Sequence, residues 1–234
     1  MNLSAVHIFL LAGAVIAGLL GSATGLISVC LYTPQDVFDN IASGPAEQVT
    51  AIDRPTWYVA LVLIVGTGLS LSILYESHNV LDYLSLYLVF FALLAIALMD
   101  LEWQMIGLDL FVPLALGSIG WVLLHPITIW LAVITTSFTL FGLALWLTHA
   151  RRNHGDLLLA IFVGLFCGAG VATPWESLAI ADRLAIGICV GALAMLVHGL
   201  ARRLANPDSA PFWNQTGALG PVFLCGTLFA VFLH

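Results

Sequence analysis

The chain alternates between long apolar stretches and short polar connections, and the apolar stretches carry almost no charge. A helix that crosses the hydrocarbon of a bilayer needs about 20 mostly apolar residues, whereas a barrel strand would show about ten residues of alternating polarity. The pattern therefore predicts an all-α, polytopic membrane protein with about eight transmembrane helices. We expect them at residues 5–31, 57–75, 80–99, 109–124, 127–148, 157–173, 183–200 and 217–233.

The basic residues, all of them arginines, predict how these helices are oriented. Cytoplasmic connections carry an excess of basic residues. With the N-terminus outside, Arg183 alone lies at the outer edge and the other five arginines lie inside. The longest connection, residues 33–56, then faces the cytoplasm and is too short to be a separate domain. Residues 1–234 are expected to form a single membrane domain surrounded by lipid.

The composition supports this class and excludes others. Hydrophobic residues make up 61% of the chain and charged residues 8%, against roughly 45–50% and 25% in soluble domains. The net charge of −7 leaves no basic face for phosphates, so nucleic-acid binding is not expected. Glycine-rich faces at 13–25 and 164–170 suit close helix packing in lipid. The cysteines lack the paired spacing of a zinc or redox motif, so we expect neither metal nor cofactor; they are Cys30, Cys167, Cys189 and Cys225.

Two acids within the apolar pattern are candidates for chemistry. Residues 149–156 are the most polar island, with three charges and two imidazoles, and Asp156 lies where the sixth apolar stretch begins. Asp100 ends the third stretch. The helix count places both on the cytoplasmic side at one depth, where they can meet. Ionisable residues inside a membrane are costly and are commonly functional. Other acids, including Glu176 and Asp182, are expected in solvated connections.

A pair of aspartates at one partly dry site predicts a reaction. Two such carboxylates cannot both ionise easily, so one holds a proton near neutral pH. The ionised one can take a proton from water while the protonated one polarises a peptide carbonyl, as in an aspartic peptidase. A structural explanation stays open: the acids could pair with Arg151 or Arg152, or Asp156 could cap the sixth helix, since a helix N-terminus favours negative charge.

Neighbouring residues have supporting interpretations. Gly155 is expected to be a backbone hinge that lets the sixth helix begin close to its neighbour. His154 is interpreted as an interfacial polar residue, although a histidine beside an acid can tune its protonation. Glu102 is a reserve candidate for the acid at the end of the third helix. Asn153 tolerates left-handed backbone angles better than most residues, which allows a bend before the sixth helix.

Four segments resemble motifs of the type IV prepilin peptidases, which are relatives of the GxGD intramembrane aspartic proteases. Residues 18–34, with the sequence GLLGSATGLISVCLYTP, resemble the family's glycine-rich first helix. Residues 98–103 (LMDLEW) resemble its I-D-x-R segment, and NHGD at 153–156 falls where the family has G-x-G-D. Residues 219–224 (LGPVFL) resemble its closing F-G-P-F-L-A motif.

The resemblance implies a membrane-embedded aspartic endopeptidase without a cofactor, in which Asp100 and Asp156 are the catalytic residues. It implies that Asn153, His154, Gly155 and Glu102 lie around this pair. The implied substrates are prepilin-like or pseudopilin proteins, with a short basic leader followed by a hydrophobic N-terminal helix. The leader would be cut at the cytoplasmic face of the bacterial inner membrane.

The chain also departs from the family pattern. Asn153 replaces the first glycine of G-x-G-D, and Gly107-Leu108 stands where a Pro-Asp or Pro-Asn pair is usual. The loop at 33–56 replaces a larger domain with paired cysteines, so N-methylation of the mature pilin is not implied. These departures motivate an alternative, a non-catalytic relative that acts as an assembly or scaffold partner in a pilus or type II secretion system. A proton-coupled transporter is a third interpretation, which the helix-end acids disfavour because transport sites lie near the midplane.

Overall fold

The computed structural model describes residues 5–31, 56–103, 107–148, 154–205 and 220–232. Over these ranges the chain is all-α, with no strand, as the apolar pattern predicts. The predicted loop at 33–56 lies outside the described residues except for Thr56. The described helices are α1 (Ala5–Leu31), α2 (Thr56–Glu76), α3 (Val80–Trp103), α4 (Phe111–Leu124, preceded by a 3-10 turn at Leu108–Leu110), α5 (Ile129–Thr148), α6 (His154–Gly168), α7 (Pro174–Ala205) and α8 (Gly220–Phe232).

The described helices have the length and composition of a helical membrane protein. Four of them are long and apolar enough to cross a bilayer, and these are α1, α2, α3 and the first two thirds of α7. The other four described helices contain shorter apolar stretches, which are Leu108–Leu124, Ile129–Ala144, Gly155–Gly168 and Gly220–Phe232. The chain is therefore a helical membrane protein whose shorter helices pack among longer ones.

Helix α3 begins at an Asn–Asp cap, after the short turn that follows α2. The side-chain oxygen of Asn79 accepts a 2.8 Å hydrogen bond from the backbone N–H of Asp82. The Asn79 amide in turn donates a 2.9 Å hydrogen bond to Asp82 Oδ2. The first bond satisfies a backbone donor at the helix start that has no partner within the helix, and the second joins the two side chains. The cap explains how Asp82 can be buried, with only 5% of its surface exposed.

Helix α7 begins nine residues earlier than the apolar pattern predicts, and this corrects two expectations. Glu176 and Asp182 lie inside α7 and not in a connection. Thr173 accepts a 3.2 Å hydrogen bond from the Glu176 N–H, and Glu176 Oε2 accepts one of 2.8 Å from the Ala172 N–H. Pro174 suits the first helical position because no donor is needed there. The predicted helix began after these turns because Glu176, Asp182 and Arg183 place charges among their apolar residues.

Helix α7 is longer than one crossing of a bilayer requires. Its 32 residues extend about 48 Å at 1.5 Å per residue, more than the roughly 30 Å of bilayer hydrocarbon. The uncharged stretch 184–201 lies between Arg183 and Arg202. Its length of about 27 Å matches the hydrocarbon thickness. One crossing therefore uses only part of α7, and the rest of the helix extends beyond the apolar layer.

Helix α3 is the central helix of the described structure. Every residue from Val89 to Asp100 is buried, and α3 packs against α1, α2, α4 and α8. It also reaches α6, because Phe90 meets Phe166 edge to face with 5.8 Å between ring centroids. A helix that is apolar on all sides is expected to be buried by its neighbours. Asp100, the one polar residue between Val89 and Asp100, is therefore enclosed by protein.

Glycines allow the closest helix contacts, as the sequence predicts, although not at every position. A Cβ at Gly66 of α2 would lie 1.7 Å from Ser22 Oγ of α1, and one at Gly164 of α6 would lie 2.8 Å from Phe138 Cβ of α5. By contrast Gly13, expected on a packing face, has open space around it. Gly170, expected in the sixth helix, lies in the turn after it with a φ of 80°, an angle that suits glycine.

Candidate active site

Asp100 lies one turn before the end of α3, on the same face as buried apolar residues. Phe90, Leu93 and Ala97 precede it at intervals of three and four residues, the spacing that lines one side of a helix. Only 5% of the Asp100 surface is exposed. A carboxyl at this position needs polar partners, because leaving it without any would cost several kcal/mol, on the order of 2–7 for a neutral group and more for a charge.

One partner of Asp100 comes from the start of α8, 120 residues further along the chain. The backbone N–H of Gly220 donates a buried 2.7 Å hydrogen bond to Asp100 Oδ2. Gly220 is the first residue of α8, where N–H groups have no partner inside the helix. The contact satisfies the helix start and the carboxyl together. It also brings two of the segments with family-like motifs, 98–103 and 219–224, against each other at Asp100 and Gly220.

Asp156 is the third residue of α6 and lies in its first turn. As with Asp100, 5% of its surface is exposed. Leu159, Val163 and Phe166 follow it on the same face and are almost fully buried. The apolar face of α6 therefore ends in a carboxyl, as the apolar face of α3 does. Because the N-terminus of a helix carries a partial positive charge, this position also favours a negative charge on Asp156.

The contact between Phe90 and Phe166 fixes the relative depth of the two acids. Asp100 lies ten residues after Phe90, and Asp156 lies ten residues before Phe166. Ten residues of helix correspond to about 15 Å. If α3 and α6 run in opposite directions, both acids lie about 15 Å from the ring contact towards the same end of the bundle.

A second chain of contacts, through α8 and α5, shows that α3 and α6 run in opposite directions. Gly220 packs against Ala97 and Asp100 at one end of α8, while Phe232 at its other end meets Phe90 with ring centroids 5.1 Å apart. Helix α8 is therefore antiparallel to α3. Phe223, one turn into α8, lies 6.4 Å from Phe141 of α5 between ring centroids.

Contacts between α5 and α6 show which residues of α6 lie at the depth of Phe141. A Cβ at Gly142 would contact Ala160 and Leu157, whereas one at Gly168 would contact Leu131. Helices α5 and α6 are thus antiparallel, and the level of Phe141 corresponds to residues 157–160. Both routes place Asp100 and Asp156 at one depth, in agreement with the sequence-based expectation. The two helices that carry the acids touch through the Phe90 and Phe166 side chains, without the extensive backbone approach of directly packed helices.

The structure describes only some of the residues that were expected to support the two acids. Gly155 is buried in the first turn of α6, next to Asp156. His154 and Glu102 lie in the first turn of α6 and the last turn of α3, but their side chains are outside the described part of the structure. Asn153 and the two arginines at 151–152 lie outside the described residues altogether. The expectation that these arginines pair with the acids therefore stays a prediction.

A third buried aspartate provides a comparison within the same chain. Asp82 is as buried as Asp100 and Asp156 but belongs to the opposite end of α3, where it caps the helix with Asn79. Among the described residues, no group of three or more His, Cys, Asp or Glu side chains is arranged to hold a metal ion. The candidate site is therefore the level shared by Asp100 and Asp156, with Gly220 bound to one of them.

Sequence reasoning singled out residues 219–224 as a motif but did not connect Gly220 with Asp100. No local signal marks that contact, because it depends on how α8 packs against α3. Comparisons of the chain with protein-family models, with curated proteins and with solved structures found no match. The fold and the site thus define a helical membrane protein with two buried aspartates at one depth.

Proposed function

We propose that the protein is a membrane-embedded aspartic endopeptidase that removes the leader peptide from prepilin-like or pseudopilin substrates. The proposal places cleavage at the cytoplasmic face of the bacterial inner membrane. The observation that carries it is the common depth of Asp100 and Asp156, each buried at the end of an apolar helix face. Burial of one such acid could be structural, but two at one level, on helices joined by the contact between Phe90 and Phe166, suit acid–base chemistry.

The pair would work by activating one water molecule. The ionised carboxylate takes a proton from the water, and the resulting hydroxide bonds to the carbon of the scissile carbonyl. The other carboxyl gives its proton to the carbonyl oxygen, which produces a tetrahedral gem-diol. Collapse of this intermediate breaks the C–N bond as a proton passes to the leaving amine. The products are the free leader and a mature chain with a new N-terminus.

The depth of the pair supports a substrate that is cut next to a hydrophobic helix. Asp100 is three residues from the end of α3, and Asp156 is two residues from the start of α6. Both acids thus lie towards a boundary of the apolar layer, away from its centre. A peptide bond at the end of a substrate's membrane helix would lie at that level, and a midplane transport site would not.

The contact between Asp100 and Gly220 adds support from the sequence motifs. The resemblance to the prepilin peptidases rests on separate segments, two of which meet in space at this hydrogen bond. Motifs that share a catalytic task are expected to lie together. The same contact is also compatible with a purely structural role, in which Asp100 caps α8. The functional test must therefore separate the acid's chemistry from its hydrogen-bonding capacity.

Replacement of each acid by asparagine makes this separation. Asparagine retains an oxygen that accepts the Gly220 N–H but cannot exchange a proton with water. We expect Asp100→Asn and Asp156→Asn to lower kcat for prepilin cleavage by about 10²- to 10⁴-fold, the usual contribution of general acid–base catalysis. Asp82→Asn is the matched control, because it removes an equally buried carboxylate at the other end of α3. It should leave cleavage within about two-fold of wild type, since a neutral cap residue remains.

The assay would use purified protein in lipid vesicles with a full-length prepilin, and would follow release of the leader. Wild-type rates in either Asp100→Asn or Asp156→Asn would overturn the assignment of the pair. An inactive wild-type protein that still binds pilus or type II secretion components would instead support the assembly or scaffold alternative.

A further inference from the structure

We infer that Gly220 is a positioning residue for the candidate catalytic Asp100, acting through its backbone N–H and its lack of a side chain. The inference rests on the proposed function for its catalytic part, while the hydrogen bond itself can be tested without any substrate. It assigns a task to the segment at 219–224, which the reaction of two aspartates and a water does not otherwise use.

The geometry requires a residue without a side chain at position 220. A Cβ added there would lie 3.0 Å from Ala97 Cα, 3.2 Å from Asp100 Cβ and 3.2 Å from the Ile96 carbonyl oxygen. All three atoms belong to the backbone of α3 or to the first atom of a side chain, so none can rotate away. Any larger residue must therefore push the start of α8 away from α3. That displacement would lengthen the 2.7 Å hydrogen bond to Asp100.

The hydrogen bond restricts the orientation of the carboxyl. An aspartate side chain can otherwise turn about its Cβ–Cγ bond, because this torsion has a broad energy profile. The Gly220 donor is part of a helix start and cannot follow such a rotation. It also contributes the partial positive charge of a helix N-terminus, which stabilises a negative oxygen. Asp100 is thereby held in one orientation, as a group that must meet a water and a carbonyl requires.

Pro221 supports the role of the Gly220 N–H as the donor to Asp100. Proline has no N–H and is tolerated in the first turn of a helix, where donors lack partners within the helix. It also restricts the backbone angles of the residue before it. The Gly-Pro pair therefore leaves the Gly220 N–H as the donor bound to α3 and limits the backbone freedom of Gly220.

Substitutions of graded size test the positioning role. Gly220→Ala should lower kcat by about 2- to 10-fold, and Gly220→Val by about 10- to 100-fold, as the hydrogen bond to the Asp100 carboxyl is weakened and then lost. KM should stay unchanged in both variants, because orientation of Asp100 matters to the chemical step and not to substrate capture. A merely structural defect would lower the amount of folded enzyme without this pattern.

Gly226 provides a matched control on the same helix. It is buried like Gly220, but a Cβ there would meet Ile188 Cγ1 at 3.2 Å and Leu184 Cδ2 at 3.3 Å. Both atoms are side-chain carbons of α7 beyond Cβ, which can move aside. Gly226→Val should therefore disturb the packing of α8 while kcat stays close to wild type. A kcat for folded Gly220→Val equal to that of wild type, or an equal loss in Gly226→Val, would overturn the inference.

A spectroscopic measurement tests the bond without catalysis. In protein labelled with ¹⁵N-glycine, the Gly220 amide signal is the one that disappears in Gly220→Ala. Its proton shift should change in Asp100→Asn, because the acceptor changes from a carboxyl to an amide oxygen, and should not change in Asp82→Asn. An unchanged signal in Asp100→Asn would refute the bond. If the bond is present but wild-type protein cleaves no prepilin, the proposed function fails and the contact is only a helix cap.

Discussion

Phe90 and Phe166 meet edge to face, with 5.8 Å between ring centroids and 89° between ring planes. Each lies ten residues from one of the two buried aspartates, Phe90 from Asp100 and Phe166 from Asp156. Because α3 and α6 are antiparallel, this one contact sets the depth at which both acids lie. The rings form a direct contact between the two helices that carry the candidate catalytic residues.

The aromatic contact should be measurable as an interaction energy. We expect Phe166→Ala to lower the free energy of unfolding by about 3–5 kcal/mol, because it removes a buried ring and leaves a cavity. A double-mutant cycle with Phe90→Ala should show a coupling of about 0.5–1.5 kcal/mol. Unfolding would be followed in mixed detergent micelles. Phe9→Ala, at a ring that is 80% exposed, is the control and should have little effect; strict additivity of the Phe90 and Phe166 substitutions would contradict the contact.

Replacement by alanine should change the stability of the protein differently at two glycines of α2. Gly66 packs against α1, and a Cβ there would lie 1.7 Å from Ser22 Oγ and 3.3 Å from the Gly18 carbonyl oxygen. Gly68, two residues further on, has open space around it. Gly66→Ala should destabilise the protein by about 1–3 kcal/mol through overpacking. Gly68→Ala should be neutral or slightly stabilising, because alanine favours a helix more than glycine does.

Thermal unfolding of the two variants in detergent, at matched protein concentration, measures the difference. The pair is well controlled because the substitution, the helix and the depth are nearly the same. Equal melting temperatures for Gly66→Ala and Gly68→Ala would show that α1 and α2 do not pack as described. A lower melting temperature for Gly66→Ala alone would support close packing of α1 and α2 at this position.

The orientation proposed from the arginines predicts which ends of the helices are accessible from each side. His78 lies in the turn between α2 and α3, and Asp109 lies in the 3-10 turn after α3; both are exposed. With the N-terminus outside, His78→Cys should react with a membrane-impermeant maleimide in intact cells. Asp109→Cys should react only after the membrane is opened. The unmodified chain is the control for its own cysteines, and the reverse labelling pattern would invert the proposed topology.

Much of the fold follows from hydropathy because each apolar helix is long and the connections are polar. The predicted spans for α1 to α5 agree with the structure to within a few residues. The predicted start of α7 was wrong because Glu176, Asp182 and Arg183 place charges among the apolar residues of its first turns. The sequence nevertheless contains a suitable signal there, since Thr173-Pro174-Trp175-Glu176 has the spacing of a capping box with proline at the first helical position.

The candidate site could be predicted only in part. Asp100 and Asp156 stand out because a carboxylate next to an apolar stretch is rare and costly. Their common depth followed from counting helices, and the ring and glycine contacts agree with it. The hydrogen bond from Gly220 could not be predicted, since 120 residues separate its two ends and the motif at 219–224 does not indicate which helix Gly220 contacts.

The sequence by itself determined that this chain is a helical membrane protein, where most of its helices lie, and which acids fall at their ends. Those properties depend on the partition of each segment between water and lipid, which is a sum over local residues. Tertiary structure alone decided which helices are neighbours and which groups meet. Lipid and apolar side chains are equally hydrophobic, so helix pairing in a membrane depends on shape and on close contacts at small residues. The approach of Gly220 to Asp100 is such a contact, and it exists only once α8 has packed against α3.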